Sequence, residues 1–197
     1  NIPIALRLVG NLDQVALEKS CRQIIHRHEI LRTTFAVEDG EPVQLIHTEQ
    51  EFELEQKILE LPLDAAADSI RQILETEAQL PFNLVTGPLM RAVLYQISNQ
   101  ENILLVNLHH IISDGCSLGI FVQELTEFYS AFIEGKKVSL PELPIQYGDY
   151  AEWQVSWLQT QIIQQQLADW ENTLVTPLPI LDLPLDKLRP ASQTFNG

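Results

Sequence analysis

Cysteine and basic residues are both scarce in this sequence, and each shortage excludes a class of protein. Only two cysteines, Cys21 and Cys116, occur in 197 residues. Two are too few for a disulfide framework, and their separation fits no metal-ligand spacing, so we expect no metal site and a reducing, cytoplasmic environment. The 12 basic residues stand against 27 acidic ones, which gives a formal net charge of −15. No basic stripe is present to neutralise phosphates, so nucleic-acid binding is not expected.

Long apolar runs and glycine-rich loops are also missing. No apolar stretch approaches the roughly 18 residues that a membrane-spanning helix requires, and no signal-peptide pattern opens the chain. The pair Gly135-Lys136 lacks the spacing of a phosphate-binding loop. We therefore expect neither a membrane protein nor a nucleotide-dependent enzyme. The hydrophobic fraction of 45% and charged fraction of 20% are typical of one globular domain, or one lobe of a larger domain.

Strand and helix periodicities alternate along the chain. Residues 103–108 are apolar at nearly every position, which predicts a central strand covered on both faces. The pair Asp39-Gly40 predicts a hairpin. The predicted strands cover residues 2–9, 31–35, 43–46, 52–54, 89–97 and 103–108. The predicted helices cover residues 14–28, 64–80, 118–135 and 147–174, the last as one long helix or two stacked helices anchored by Trp153, Trp157 and Trp170.

The segment with the most chemical information is residues 109–115, HHIISDG. It lies where the central strand hands over to a helix, a place where enzymes often carry catalytic groups. A neutral imidazole can take a proton near pH 7, and amides at a helix start can face an oxyanion, so the segment predicts an acyl-transfer site. Asp114 is placed to cap the helix or to hold an arginine, and Gly115 allows close approach of the backbone to a substrate. The alternative is that His109 and His110 are two hydrogen-bonded structural side chains.

Residues 109–115 resemble the HHxxxDG signature of condensation domains of nonribosomal peptide synthetases, which is shared with chloramphenicol acetyltransferase-like acyltransferases. Two further segments resemble condensation-domain motifs in the same order: residues 27–35, RHEILRTTF, and residues 147–153, YGDYAEW. Residues 80–89 resemble the segment that precedes the catalytic strand, and residues 183–190 resemble the crossover into the second half of the domain.

The resemblance implies an α/β fold of the α+β sandwich type, a chloramphenicol acetyltransferase-like lobe with a mixed, mostly antiparallel sheet covered by helices. It implies that residues 1–175 form the N-terminal lobe without its first few residues. Residues 176–197, with four prolines, would be an extended crossover segment toward an absent C-terminal lobe. The active site would be a tunnel between the two lobes, so we expect this fragment alone to be inactive.

The implied activity is formation of an amide bond in secondary metabolite biosynthesis. The amine of an acceptor aminoacyl thioester attacks the carbonyl of a donor acyl or peptidyl thioester. The substrates are carried on the phosphopantetheine arms of donor and acceptor peptidyl carrier proteins, with an adenylation domain in the same polypeptide and no tightly bound cofactor.

The resemblance also implies roles for particular residues. His110 removes or orients the amine proton, Gly115 offers its backbone near the oxyanion, and His109 holds the turn through hydrogen bonds. Asp114 shapes the loop through an ion pair with Arg27, Arg91 or an arginine of the missing lobe. The site-supporting residues are Arg27, His28, Arg32, Ser113 and Cys116, of which Cys116 stands where relatives commonly have a bulky aromatic residue.

Two other functions remain open at this point. One is a coenzyme A-dependent acyltransferase of the same superfamily. The other is a catalytically silent module that docks or recruits carrier proteins, whose usual mark would be a broken histidine pair. Here both histidines are present.

Overall fold

The computed structural model describes residues 1–59 and 67–179, together with Leu181, Pro184 and Ser192. Residues 1–152 and 153–197 form two compact units. The strands in the described part are β1 (Ile2–Val9), β2 (Thr33–Glu38), β3 (Glu41–Ile46), β4 (Glu55–Ile58), β5 (Met90–Ser98) and β6 (Glu101–Leu108). The helices there are α1 (Gln14–Arg27), α2 (Ala67–Ala78), α3 (Gly115–Glu134), α4 (Tyr147–Leu158) and α5 (Gln161–Thr173), with a short 3₁₀ helix at Glu29–Arg32.

Four strands form the main sheet, in the order β1-β6-β5-β4. Strand β6 pairs antiparallel with β1 on one side and with β5 on the other, whereas β4 pairs parallel with β5. The sheet is therefore mixed and mostly antiparallel, as predicted. The strand that precedes the histidine pair, β6, is interior to the sheet because it pairs with a neighbour on each side.

Helices cover both faces of this sheet. On one face, Leu104, Val106 and Leu108 of β6 belong to a buried cluster with apolar residues of α1 and α3. On the other face, Leu105 of β6 clusters with Val93 and Tyr95 of β5, against Ile73 and Leu74 of α2. Alternate residues of a strand point to opposite faces, so a run of consecutive apolar residues supplies both cores. This explains why β6 lacks the apolar–polar alternation of a half-exposed strand.

The hairpin predicted at Asp39-Gly40 joins β2 and β3. Asp39 has φ 52° and Gly40 has φ 87°, and the flanking residues Glu38 and Glu41 pair directly. Positive φ at both central residues is the condition for the tight turn whose twist matches that of the strands. Asp and Gly meet this condition at low steric cost.

Two predicted strands are placed differently in the structure. The prediction for residues 52–54 is wrong, because β4 begins at Glu55 and Leu54 is a buried core residue in the loop before it. The strand predicted at residues 31–35 begins at Thr33, after the 3₁₀ helix. In both cases apolar side chains fill the core from a non-strand segment. The first three residues of the helix predicted at 64–80 lie outside the described residues, and α2 accounts for Ala67–Ala78.

The stretch predicted as one or two helices after residue 147 forms two, α4 and α5. That its tryptophans anchor these helices onto the body of the protein stays a prediction. Trp153, Trp157 and Trp170 are 55%, 40% and 62% exposed, and Trp153 stacks on Trp157 with ring centroids 5.7 Å apart. Of the predicted crossover at 176–197, only 176–179, Leu181, Pro184 and Ser192 belong to the described residues.

No helix in the described part of the chain has both the length and the hydropathy needed to cross a bilayer.

Candidate active site

The two histidines lie on a tight turn that continues directly from the central strand. The backbone N–H of His109 donates to the carbonyl of Leu89 at 2.9 Å, which extends the pairing of β6 with the start of β5. The N–H of Ile112 then donates to the carbonyl of His109 at 3.0 Å and closes the turn. Ile112 itself is buried, so the turn is anchored in the core on its far side. His110, at the tip of the turn, is exposed.

The imidazole of His109 is part of the turn rather than of the open surface. Its Nδ1 accepts a hydrogen bond from the N–H of Ile111 at 3.0 Å, the kind of contact predicted for this residue. An accepting Nδ1 places the proton of the neutral ring on Nε2. Burial, the largest cause, lowers the pKa of His109 below the ordinary value for histidine. His109 is therefore held neutral at pH 7, in one tautomer.

The exposed ring of His110 is available to a substrate that approaches the tip of the turn. The two neighbouring histidines thus differ in surroundings, since His109 is half-buried and His110 is exposed. In its neutral form, an imidazole has one nitrogen free to accept a proton.

Helix α3 begins immediately after this turn with a capping box. A carboxylate oxygen of Asp114 accepts from the N–H of Ser117 at 2.8 Å and from its Oγ at 2.6 Å, and the N–H of Asp114 donates back to Ser117 Oγ at 3.2 Å. These hydrogen bonds lower the pKa of Asp114. The predicted alternative, an ion pair with Arg27 or Arg91, is wrong: within residues 1–59 and 67–179 no arginine lies at ion-pair distance from Asp114. Arg27 pairs with Glu124, and Arg91 donates to carbonyls of residues 80 and 81.

Three further motif residues surround the start of α3. Gly115 is its first residue, and a Cβ there would meet no atom within 4 Å, so the position opens to free space. Cys116, next to Gly115, is exposed. Cys21 is buried, and burial raises the pKa of its thiol to about 12. Ser113 is buried, and its Oγ donates to the carbonyl of His109 at 3.4 Å. Ser113 therefore supports the turn.

Arg27 and His28 meet a carboxylate that the motif analysis missed. Glu124 of α3 accepts from Arg27 Nε at 2.9 Å with one oxygen, and its other oxygen lies 2.7 Å from His28 Nε2. The Glu124 side chain is only 7% exposed. Its sequence signal was its spacing: Glu124 shares the inward face of α3 with Phe121, Leu125 and Phe128. An acid on such a face needs buried partners.

Arg32 serves the region near the 3₁₀ helix, not the histidine turn. Its guanidinium donates to the carbonyl of His47 and lies 3.3 Å from a carboxylate oxygen of Glu29. Arg27 and Arg32 thus connect secondary-structure elements, and the structure does not bring either of them to His110.

A cavity of about 110 Å³ brings His28 and the motif loop together. Its polar lining residues are His28, Ser113 and Ser117, and neither His109 nor His110 belongs to the lining. The remaining lining residues are apolar: Ile24, Ile30, Leu31, Leu108, Ile112, Leu118, Ile120 and Phe121. The cavity therefore offers an apolar space under the turn, next to the end of α1. Among the described residues, no group of three or more His, Cys, Asp or Glu side chains is arranged to hold a metal ion.

Comparison with known proteins gives a match along the whole sequence. The family model described as Condensation domain matches residues 1–197. This chain belongs to the condensation domain family. Among curated members, a linear gramicidin synthase of Brevibacillus parabrevis is 46% identical over 198 residues, covering 100% of this chain and 3% of the synthase. Bacitracin synthase 3 of Bacillus licheniformis is 40% identical over 197 residues, covering 100% of this chain and 3% of that protein.

Solved structures give the same fold. The X-domain from teicoplanin biosynthesis is 31% identical with a TM-score of 0.81, and the match covers 96% of this chain and 42% of that one. The epimerization domain from the third module of tyrocidine synthetase B has a TM-score of 0.76 at 24% identity, covering 95% of this chain and 43% of that one. The chloramphenicol acetyltransferase-like fold class is thus confirmed for this condensation domain sequence. The chain spans a few per cent of the synthases and under half of these solved domains.

Proposed function

We propose that this chain is the histidine-bearing part of a peptide-bond-forming condensation domain. In the proposed reaction, the amine of an acceptor aminoacyl thioester attacks the carbonyl carbon of a donor thioester. A C–N bond forms, the C–S bond breaks, and the products are an amide and a thiol that takes up the proton lost by the nitrogen. Both substrates arrive on the phosphopantetheine arms of carrier proteins.

One observation carries the proposal: His110 is exposed at the tip of a turn anchored in the core. Its ring accepts or orients the amine proton, while His109 remains neutral and holds the backbone. The turn fixes the backbone from which this ring projects, and a fixed point of attachment favours an effective general base.

The start of α3 supplies the second component. The first N–H groups of a helix lack intrahelical acceptors, and the capping box satisfies only part of this set through Ser117. We propose that the backbone at Gly115, where no side chain intervenes, lies near the oxyanion of the tetrahedral intermediate.

We also propose that this chain is part of a larger enzyme. The matched synthases are far longer than this chain, which supports a polypeptide that also holds an adenylation domain, carrier proteins and a second lobe. The donor and acceptor carriers are the proposed partners. Two free thiols, one exposed, support a cytoplasmic location.

The test replaces His110 with alanine in the complete synthetase polypeptide. Carrier proteins are loaded with donor and acceptor aminoacyl groups, and the dipeptidyl product is measured by mass spectrometry after rapid quenching. We expect His110→Ala to lower product formation by about 10²-fold or more, the range for loss of a general base. His26→Ala, an exposed histidine on α1, is the matched control and should retain normal turnover.

The same assay separates the alternatives. Full turnover in His110→Ala would contradict the catalytic role of His110. Absence of product from the unsubstituted polypeptide would favour a recruiting module, an alternative supported by the similarity to an X-domain solved in complex with OxyB. Acylation of a free amine with acetyl-coenzyme A would favour a coenzyme A-dependent enzyme. We expect residues 1–197 by themselves to form no product.

A further inference from the structure

Arg91 and the loop at residues 80–82 lie beside the histidine turn, and the proposed chemistry makes no use of them. The guanidinium of Arg91, on β5, donates to the carbonyl of Leu80 at 2.7 Å and to the carbonyl of Pro81 at 2.9 Å. Both bonds reach the loop that follows α2. One planar fork therefore fixes two consecutive carbonyls, a geometry that a lysine cannot reproduce.

The same guanidinium also covers an aromatic ring. Its central carbon lies 3.8 Å from the centroid of the Phe82 ring. A cation over the face of an aromatic ring is attracted by the negative charge density of that face. Arg91 thus contacts three consecutive residues, the carbonyls of Leu80 and Pro81 and the ring of Phe82, and so holds the segment that carries this ring.

Phe82 in turn packs against the first histidine. The ring centroids of Phe82 and His109 are 6.1 Å apart with an interplanar angle of 87°, an edge-to-face contact. That geometry is among the preferred arrangements of two aromatic rings. A second constraint on His109 comes from its Nδ1, which accepts from Ile111. The imidazole is thus fixed by Phe82 and by the backbone of the turn.

We infer that Arg91 and Phe82 are positioning residues that hold His109, and with it the turn that presents His110 to the substrates. The inference rests on the proposed function. Contacts run without a break from Arg91 to Phe82, from Phe82 to His109, and from His109 to the turn backbone through Ile111 and Ile112. A small displacement of a catalytic group is costly, since reacting atoms must meet within a narrow range of distance and angle.

The first measurement is the titration of the His109 imidazole, followed by NMR in the full 197-residue chain. Burial lowers its pKa in the native protein. In Phe82→Leu the ring that covers the imidazole is lost, so we expect the pKa of His109 to rise toward its ordinary value. Phe82→Tyr retains the ring and should leave the titration as in the native chain. Phe52→Leu, another half-buried phenylalanine, is the matched control and should do the same.

The second measurement is product formation in the complete synthetase with loaded carriers. We expect Arg91→Lys and Phe82→Leu to lower kcat by about tenfold to a hundredfold, with KM for the carriers unchanged, because neither residue touches substrate. Phe82→Tyr should retain most of the activity. Arg7→Lys, an exposed arginine on β1 of the same sheet, should have no effect.

The outcomes distinguish the two proposals. If His110→Ala is inactive but kcat is unchanged in both Arg91→Lys and Phe82→Leu, the positioning role is wrong and the proposed function stands. A lower free energy of unfolding in Phe82→Leu with an unchanged His109 titration would also contradict the positioning role. It would show that Phe82 only stabilises the fold. Normal turnover in His110→Ala would overturn the proposed function and the positioning role together.

Discussion

The carboxylate of Glu124 is the side chain that joins the end of α1 to α3. It pairs with Arg27, the last residue of α1, and with His28, the C-cap residue of α1. The Arg27 guanidinium also donates to the carbonyl of Pro141 at 2.6 Å. A carboxylate with this little exposure is stable in charged form only when its oxygens are paired. The cluster also places His28 in the wall of the cavity beneath the histidine turn.

Removing this carboxylate should destabilise the fold. We expect Glu124→Ala to lower the free energy of unfolding by about 3 kcal/mol, because it leaves the Arg27 guanidinium in a mostly buried position without its partner. Glu127→Ala, on the exposed side of the same helix, is the control and should change the free energy by no more than about 0.5 kcal/mol. Urea unfolding followed by circular dichroism measures both. Equal values for the two variants would contradict the role of Glu124.

The sequence motif identifies His109, His110 and Asp114 as site residues, but it does not identify the side chains that contact them. The candidate partners of Asp114 were Arg27, Arg91 and an arginine of the missing lobe, and the structure gives the first two another role. The physical reason is that an ion pair depends on which faces meet in space. Asp114 is satisfied locally by Ser117, three residues on, which its spacing alone could have predicted.

Helix α3 is the element whose two ends are both defined by local sequence. It begins with the Asp114–Ser117 capping box and ends at Gly135, which has φ 63° and lies in the left-handed region. The N–H of Gly135 returns to carbonyls of the last turn, and that geometry is favourable for glycine and costly for residues with a Cβ. Helix α3 therefore begins at the histidine turn and ends at the left-handed residue Gly135.

Two glycine-to-alanine substitutions on α3 should have opposite effects on stability. Gly135→Ala places a Cβ on a residue with positive φ, and we expect it to lower the free energy of unfolding by about 1 kcal/mol. Gly119 is inside the helix with free space around its Cβ position, so Gly119→Ala should raise the free energy by about 0.5 to 1 kcal/mol. Thermal and urea unfolding report both values. An unchanged or raised free energy of unfolding in Gly135→Ala would show that the left-handed backbone does not constrain residue 135.

Hydrophobic periodicity predicts the positions of most strands and helices, but not that of β4. Its residues Glu55, Gln56 and Lys57 are polar because β4 is a sheet edge, and polar or charged side chains are common on such strands. The apolar pattern lies instead in Phe52 and Leu54, which contribute to the core from the preceding loop. Burial and strand pairing are different properties, and the hydrophobic pattern reports burial.

The molecule as a whole carries a large negative charge. With 27 acidic and 12 basic residues, repulsion among carboxylates opposes the compact state at pH 7. The ion pairs in the described residues include several exposed ones, such as Arg7–Glu101, that contribute little each. Net repulsion should therefore dominate the long-range electrostatics.

Added salt should stabilise this protein. Raising NaCl from about 0.01 M to about 0.15 M shortens the screening length from about 30 Å to about 8 Å, which weakens repulsion between distant carboxylates. We expect the Tm at pH 7 to rise by a few degrees, measured by differential scanning fluorimetry. Lys137→Glu, at an exposed position on the surface, should steepen the dependence, and Lys137→Gln should steepen it less. A Tm that falls with salt would show that the surface ion pairs outweigh the net charge.

The family and the local structure around the histidine motif follow from the amino-acid sequence alone. Residues 103–115 are contiguous, so their strand, turn and capped helix follow from apolar character, the Asp–Ser spacing and the glycine. The central place of β6 also followed, because an edge or half-exposed strand would not tolerate apolar residues on both faces.

Contacts between side chains that are distant in the sequence depend on three-dimensional packing. Glu124 with Arg27 and His28, and Arg91 with Phe82 and His109, join residues far apart in the chain. Their contacts depend on how α1 and α3 pack together and on how the loop after α2 crosses the end of the sheet. Periodicity states which face of an element is buried, but the partner on the opposing face is set by packing in three dimensions.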